Sequence, residues 1–181
     1  MIFRNDDVSP ATSFHFLMVI YKMIEKYRPD AEIWSCMNMF SRSNNIGSVY
    51  PDLPLKTKQL KYFYNVDQIW SGNTAGLKKV VSHGLIHADH TYLDYGAKKM
   101  SIITSCKLLK TDIFVPPFNK YDEEMDDICK KIGVRMVKPS DGWRSLETED
   151  FDPTHELWFF HSWRFTLSEF DAKLKGVLQS V

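Results

Sequence analysis

Apolar positions along this chain follow two periods that take turns, one suited to strands and one to helices. Residues 1–4 form a short apolar run that predicts a first strand, and Ser9-Pro10 marks a turn after it. Over residues 13–27, Phe16, Leu17, Ile20, Met23, Ile24 and Tyr27 recur at helical spacing, and Pro29 blocks continuation. Residues 31–40, with Ile33, Trp34, Cys36 and Met39, read as a buried strand that runs into a polar loop over 41–48. The stretch 49–76 is the least legible, since Pro51 and Pro54 interrupt it and only Leu60, Phe63 and Tyr64 suggest a short helix.

The alternation resumes further on. Residues 79–82 predict a strand that delivers His83 at its end, Leu93-Asp94 resembles a helix start, and 97–109 run with helical period. A short apolar strand over 112–115 is stopped by Pro116-Pro117, a helix over 121–132 is closed by Gly133, and a strand restarts over 134–137. Residues 156–161 are a last buried strand with a histidine at its carboxyl end, and 167–181 a terminal amphipathic helix. Such an order predicts an α/β fold, a parallel sheet or barrel whose polar residues gather at the carboxyl ends of the strands. Asp6, Asp7, His83, His87, Asp141 and His161 all fall at or after predicted strand ends. No internal repeat or low-complexity segment is visible.

Length and charge narrow the field. At 181 residues the chain is the size of one domain, taken as 1–181, able to bury roughly 70% of the surface its unfolded form exposes. With 23 basic and 23 acidic residues there is no net field to gather nucleic acid or anionic lipid, so neither is expected as a partner. Cys36, Cys106 and Cys129 are odd in number and widely spaced, which argues for reduced, buried thiols. Neither an export signal nor a membrane span is visible, and the expectation is a cytoplasmic protein whose oligomeric state the sequence leaves open.

Two motifs carry chemistry. Asn5-Asp6-Asp7 together with His83-Gly-Leu-Ile-His87 supplies carboxylates and two imidazoles, the parts of a mononuclear metal hydrolase with coordination positions left open. A divalent ion held by Asp7, His83 and His87 would polarise a carbonyl and lower the pKa of a bound water to about 7. Asp6 would then take a proton from that water, and His161 would protonate the leaving group. The bland readings are a solvated turn or cap for Asp6-Asp7 and a satisfied core position for His161. His87, Asp89 and His90 form a competing ligand set, or Asp89 and His90 serve as partners that orient a ligand imidazole. His15 and His155 read as structural or surface residues.

Arg4-Asn5-Asp6-Asp7-Val8, the His83/His87 pair, Phe114-Val115-Pro116-Pro117-Phe118, Asp141-Gly142-Trp143 and Trp158-Phe159-Phe160-His161 resemble, in order, the five motifs of polysaccharide deacetylases, the NodB-homology or family 4 carbohydrate esterases. The resemblance spans nearly the whole chain. It implies a distorted, incomplete (β/α) barrel, with Asp6 as catalytic base, Asp7, His83 and His87 as metal ligands, and His161 as catalytic acid. It also implies a substrate groove with one wall of Pro116, Pro117 and Phe118, and a fourth-motif acid at Asp141 unless that residue is a cap. Pro117, Phe118, Asn119, Asp141, Trp143 and Trp163 are the substrate-binding candidates; the faces of Trp143 and Trp163 stack on sugar rings or are plain core and rim aromatics. The implied cofactor is one divalent ion, zinc first, with cobalt, nickel, manganese or iron as alternatives. The implied partner is an acetylated carbohydrate.

Three features depart from the family pattern. Val115 stands where an arginine orients the base, Val8 where glycine is usual, and the Thr-Phe before the acidic pair is missing. Arg4, Arg144 and Arg164 are the candidates to replace the arginine. The resulting expectation is a divergent deacetylase acting on the N-acetyl group of an amino sugar or polysaccharide precursor, with another amide or an O-acetyl ester as the nearest variant. The alternative of a different class is an inactive deacetylase-like scaffold that binds carbohydrate or serves as an assembly subunit.

Overall fold

In the computed structural model, residues 1–9, 12–41, 68–69 and 77–175 are described. Strands β1 (Ile2–Val8), β2 (Glu32–Met37), β5 (Lys79–Ser82), β6 (Ile113–Phe114), β7 (Arg135–Met136), β8 (Arg144–Ser145) and β9 (Leu157–His161) form one sheet. Its order is β7-β6-β5-β2-β1-β9-β8 and every pairing is parallel. The strands curl into a half-barrel with helices outside, the incomplete (β/α) barrel that the sequence led us to expect. A separate antiparallel pair joins β3 (Phe40–Ser41) to β4 (Gln68–Ile69).

Helix α1 (Phe14–Tyr27) starts where the Ser13 hydroxyl accepts the Phe16 N–H, and it buries Leu17, Ile20, Tyr21 and Ile24. That stripe packs with Phe3 and Ile33 of the sheet and with Phe170 of α4 (Leu167–Lys175). Helix α2 (Tyr95–Leu109), capped by Asp94, differs in character: its buried face carries Ser101 and Ser105 beside Ile102 and Cys106. Helix α3 (Glu123–Lys131) has Glu123, Glu124 and Asp126 in its first turn and Lys130 and Lys131 in its last, the charge order that suits the helix dipole. Met125 and Ile128 of α3 pack with Ile102 of α2 over Phe114 and Met136.

Register decides which residues share a face. Phe3 of β1 lies beside Ile33 and Trp158, and this row faces α1 and α4. Arg4 lies beside Trp34 and Phe159 on the opposite face, inside the half-barrel, and Asp6 lies beside His161. β1 lies inside the sheet, paired on both sides, and carries Arg4 and the acidic pair toward its carboxyl end.

Several boundaries differ from the sequence reading. The first strand runs to Val8 rather than ending at residue 4, because strands on both sides pair with it. The strand over 31–40 breaks after Met37, the helix over 121–132 is shorter at both ends, and β8 is a strand that the apolar pattern does not announce. The turn at Ser9-Pro10, the loop beyond residue 41, the short helix suggested at Leu60 and the last residues of the terminal helix lie wholly or partly outside the described residues. Among the described residues all three cysteines are free and buried, and no helix is long and apolar enough to cross a membrane.

Candidate active site

In a regular strand, neighbouring side chains point to opposite faces, so Asp6 and Asp7 would not meet. Here the β1–β2 register slips between Asn5 and Val8, and Asp7 takes a left-handed φ of 59°. Aspartate tolerates that conformation better than most residues. The local twist brings both carboxylates into one cavity of about 350 Å³, which they line together with His83, His87, Phe118, Asn119, His161, Trp163 and Arg164. Asn5 anchors the segment from the other side. Its amide donates to the buried Tyr21 hydroxyl at 3.2 Å, and its carbonyl accepts the Ser162 N–H at 3.0 Å.

The histidine pair lies in the turn after β5. His83 Nδ1 is 2.8 Å from the Val115 carbonyl oxygen, which can only accept, so Nδ1 carries the proton. Its Nε2 faces the cavity and stands 3.2 Å from Asp7 Oδ1; His87 Nε2 stands 2.8 Å from the same oxygen. One ligand atom from each of Asp7, His83 and His87 lies within 4.8 Å of the other two. A carboxylate and two imidazoles so disposed fit a zinc-type divalent ion with open positions. Burial would raise the Asp7 pKa, but hydrogen bonds and charge from His83 and His87 outweigh it and hold the carboxylate well below its ordinary range.

His90 is not part of this group. It is fully buried, its Nδ1 donating to the Ala88 carbonyl and its Nε2 accepting the Ser101 hydroxyl, each at 2.8 Å. Burial pushes its pKa down to about 4, so it is neutral. Asp89 caps the next turn and pairs with Lys120 at 2.8 Å. The competing His87/Asp89/His90 set is therefore not assembled: His90 braces the loop from behind. Gly84, at φ +91°, gives the His90 ring its room, for a Cβ there would lie 2.8 Å from His90 Cε1. The serines of α2 complete the support, with Ser101 Oγ accepting the Leu85 N–H at 3.1 Å and Ser82 Oγ donating to Ser105 Oγ at 2.6 Å.

His161 closes the opposite side, with Nε2 3.5 Å from Asp7 Oδ2. Glu147, which the sequence reading does not single out, holds its Nδ1 at 2.5 Å and also binds Arg164 at 3.3 Å. Burial lowers the His161 pKa, but Glu147, Asp6 and Asp7 together raise it above the ordinary value. No sequence signal marks Glu147, because its meeting with His161 depends on β8 lying beside β9.

Arg4 is 1% exposed and donates from one terminal nitrogen to Asp6 Oδ2 and to Asn119 Oδ1, both at 2.8 Å. Arg144 instead pairs with Glu149 and Asp152. Phe118 and Asn119 take left-handed φ values of 59° and 56°, and the Phe118 ring lies 4.3 Å from the His87 ring. The other substrate candidates are divided. Trp163, 40% exposed, lines the cavity 5.6 Å from the His161 ring. Pro117 is buried and is not among the lining residues. Trp143 packs inside the half-barrel on Trp34 and Arg4, and Asp141 is an exposed cap on the Lys138 N–H, so neither reaches the cavity. Of the histidines read as structural, His155 accepts no role at the cavity and is engaged with the Gly142 carbonyl at 2.8 Å.

No family model matches the sequence, and no curated protein matches it. Solved structures do. A family 4 carbohydrate esterase from Streptomyces lividans in complex with acetate matches with a TM-score of 0.57 and 10% identity, over 96% of this chain and 84% of that one. A pseudoenzyme of the same family from Bacillus anthracis matches with a TM-score of 0.61 and 10% identity, over 99% of this chain but 60% of the longer structure. The esterase domain of a multidomain xylanase from the hindgut metagenome of Trinervitermes trinervoides gives 0.53 and 11%, over 98% and 80%. The chain therefore has the fold of the family 4 carbohydrate esterases, the incomplete (β/α) barrel of the polysaccharide deacetylases.

Proposed function

We propose that this protein is a metal-dependent deacetylase that removes N-acetyl groups from an amino sugar or a polysaccharide precursor. The observation that carries the reading is the convergence of Asp7, His83 and His87 within 4.8 Å, flanked by Asp6 and His161 in one cavity. Asp7, His83 and His87 would hold a divalent ion, which would supply Lewis-acid chemistry toward an acyl carbonyl and a water. Asp6 accepts the proton of the water that attacks the acyl carbon. His161 then gives its proton to the amide nitrogen as the C–N bond breaks, so that acetate and a free amine leave. Phe118 and Trp163 offer faces to a sugar ring at the rim.

Acetate release from N-acetylated amino sugars and their oligomers, with and without added zinc or cobalt, tests the proposal. Metal-dependent release is the expected result. No release under any condition overturns it in favour of the second reading, a carbohydrate-binding scaffold without turnover. That reading draws its support from Val115, which stands where the family pattern has an arginine, and from the Bacillus anthracis pseudoenzyme having this fold.

A further inference from the structure

Burying a guanidinium is expensive unless it is paired and hydrogen-bonded, and an apolar side chain of similar size usually serves stability as well or better. Arg4 nevertheless sits at 1% exposure on β1, a strand paired on both sides. Its surroundings are specific. One terminal nitrogen serves Asp6 Oδ2 and Asn119 Oδ1, and the guanidinium carbon lies 4.6 Å from the Trp143 ring centre and 5.0 Å from that of Phe159. Asp6 Oδ1 has no hydrogen-bond partner among the described residues, although Asp6 lines the cavity.

We propose that Arg4 is the positioning residue of this site: its guanidinium fixes the Asp6 carboxylate by Oδ2, leaves Oδ1 to receive a proton, and locks Asn119 and its turn against the same strand. The spacing makes this direct, because residues two apart on a strand share a face. At Val115, where an arginine is expected, the side chain is buried among Trp34, Val81 and Val137, and the backbone carbonyl is committed to His83. The first strand thus supplies both the carboxylate and the group that aims it. A lysine does not reproduce Arg4, since an ammonium lacks the planar guanidinium that packs on the Trp143 and Phe159 rings and so fixes where the donating nitrogen stands. The part of this inference that concerns proton transfer rests on the deacetylase reading; the clamp on Asn119 does not.

The test compares wild-type protein with Arg4→Lys and Asn119→Ala. In Arg4→Lys, zinc affinity by calorimetry stays within about threefold, KM stays within about threefold, and kcat falls on the order of 10²-fold, as expected when a reacting group is misplaced by a fraction of its length. The side-chain amide signals of Asn119, identified by their loss in Asn119→Ala, move in Arg4→Lys whatever the activity. Unmoved signals overturn the clamp. An unchanged kcat with active wild type overturns the positioning role. If Arg4→Lys does not fold, Asn119→Ala decides through a loss of kcat of about tenfold with unchanged zinc affinity, and no loss overturns the proposal. An inactive wild type in which the amide signals still move defeats the deacetylase reading and leaves the clamp standing.

Discussion

Glu147 holds His161 twice: the same carboxylate oxygen accepts the His161 backbone N–H at 2.8 Å and faces Nδ1 at 2.5 Å. The Glu147 oxygen accepts, so Nδ1 carries a proton in either charge state of His161, and Nε2, turned to the Asp7 side, carries the second proton in the imidazolium. Orientation and charge both follow from Glu147. Replacing it by glutamine keeps the shape and removes the charge that supports an imidazolium. We predict that kcat falls about 10–100-fold in Glu147→Gln, less than the roughly 10²–10⁴-fold of a whole positioned proton transfer because the imidazole itself remains. Thermal melting should stay close to wild type, because the site is at the rim. Equal kcat values in the two proteins would remove His161 from the acid role.

The Gly84 backbone is a second point of leverage. Any side chain there meets His90 and must also hold φ at +91°, a conformation that typically costs about 1–3 kcal/mol for an L-residue. Adding the close approach to the ring, Gly84→Ala should lose roughly 3 kcal/mol, or about 6–12 °C in melting temperature for a chain of this size. Zinc affinity should weaken in parallel, since the same turn carries His83 and His87. A melting temperature within a degree of wild type, measured by calorimetry, would show that the loop relaxes freely.

What the sequence made legible follows from range. Helix α1 is readable because its stripe, its Ser13 cap and the Pro29 stop agree within a few turns. Both motifs of the candidate cation site are readable because a carboxylate and two imidazoles are the residue types that such a site calls for. Helix α2 is weaker as a pattern because serines that brace the His83–His87 loop replace apolar residues on its buried face. Arg4 stayed only one of three candidate arginines for a subtler reason: a strand ended at residue 4 hides that residues 4 and 6 share a face. Glu147 and β8 depend on strand order, which no local period encodes. Asp141 misled because a short acidic turn cap and a site acid look alike in sequence.

Metal binding can be separated from catalysis altogether. A ligand that binds only the folded state, present at a hundredfold excess over its Kd, adds about 2.7 kcal/mol. Zinc should therefore raise the melting temperature by about 5–10 °C, and a chelator should reverse the rise. Asp7→Asn should abolish most of this gain, since it removes the charge shared by His83 and His87. If Asp7→Asn gains as much as wild type, the ion binds elsewhere.

The neutral state of His90 gives the fold a pH dependence with a definite sign. Its pKa is pushed from 6.5 to about 4 by burial first; His83 and His87 add to the fall, while the Ala88 carbonyl and Asp89 oppose it. In the unfolded chain His90 takes up a proton near pH 6.5, whereas the folded protein resists until about pH 4. Between those values the unfolded state binds more protons, so stability rises with pH there and falls on acidification. The full window corresponds to roughly 3 kcal/mol. His90→Asn keeps a donor for the Ala88 carbonyl without a titrating ring. Urea unfolding at pH 7 and at pH 4.5 should therefore show a smaller loss in His90→Asn than in wild type, by about 2–3 kcal/mol. Parallel losses in the two proteins would mean that His90 is protonated in the folded state, and its place behind Gly84 would then need another explanation.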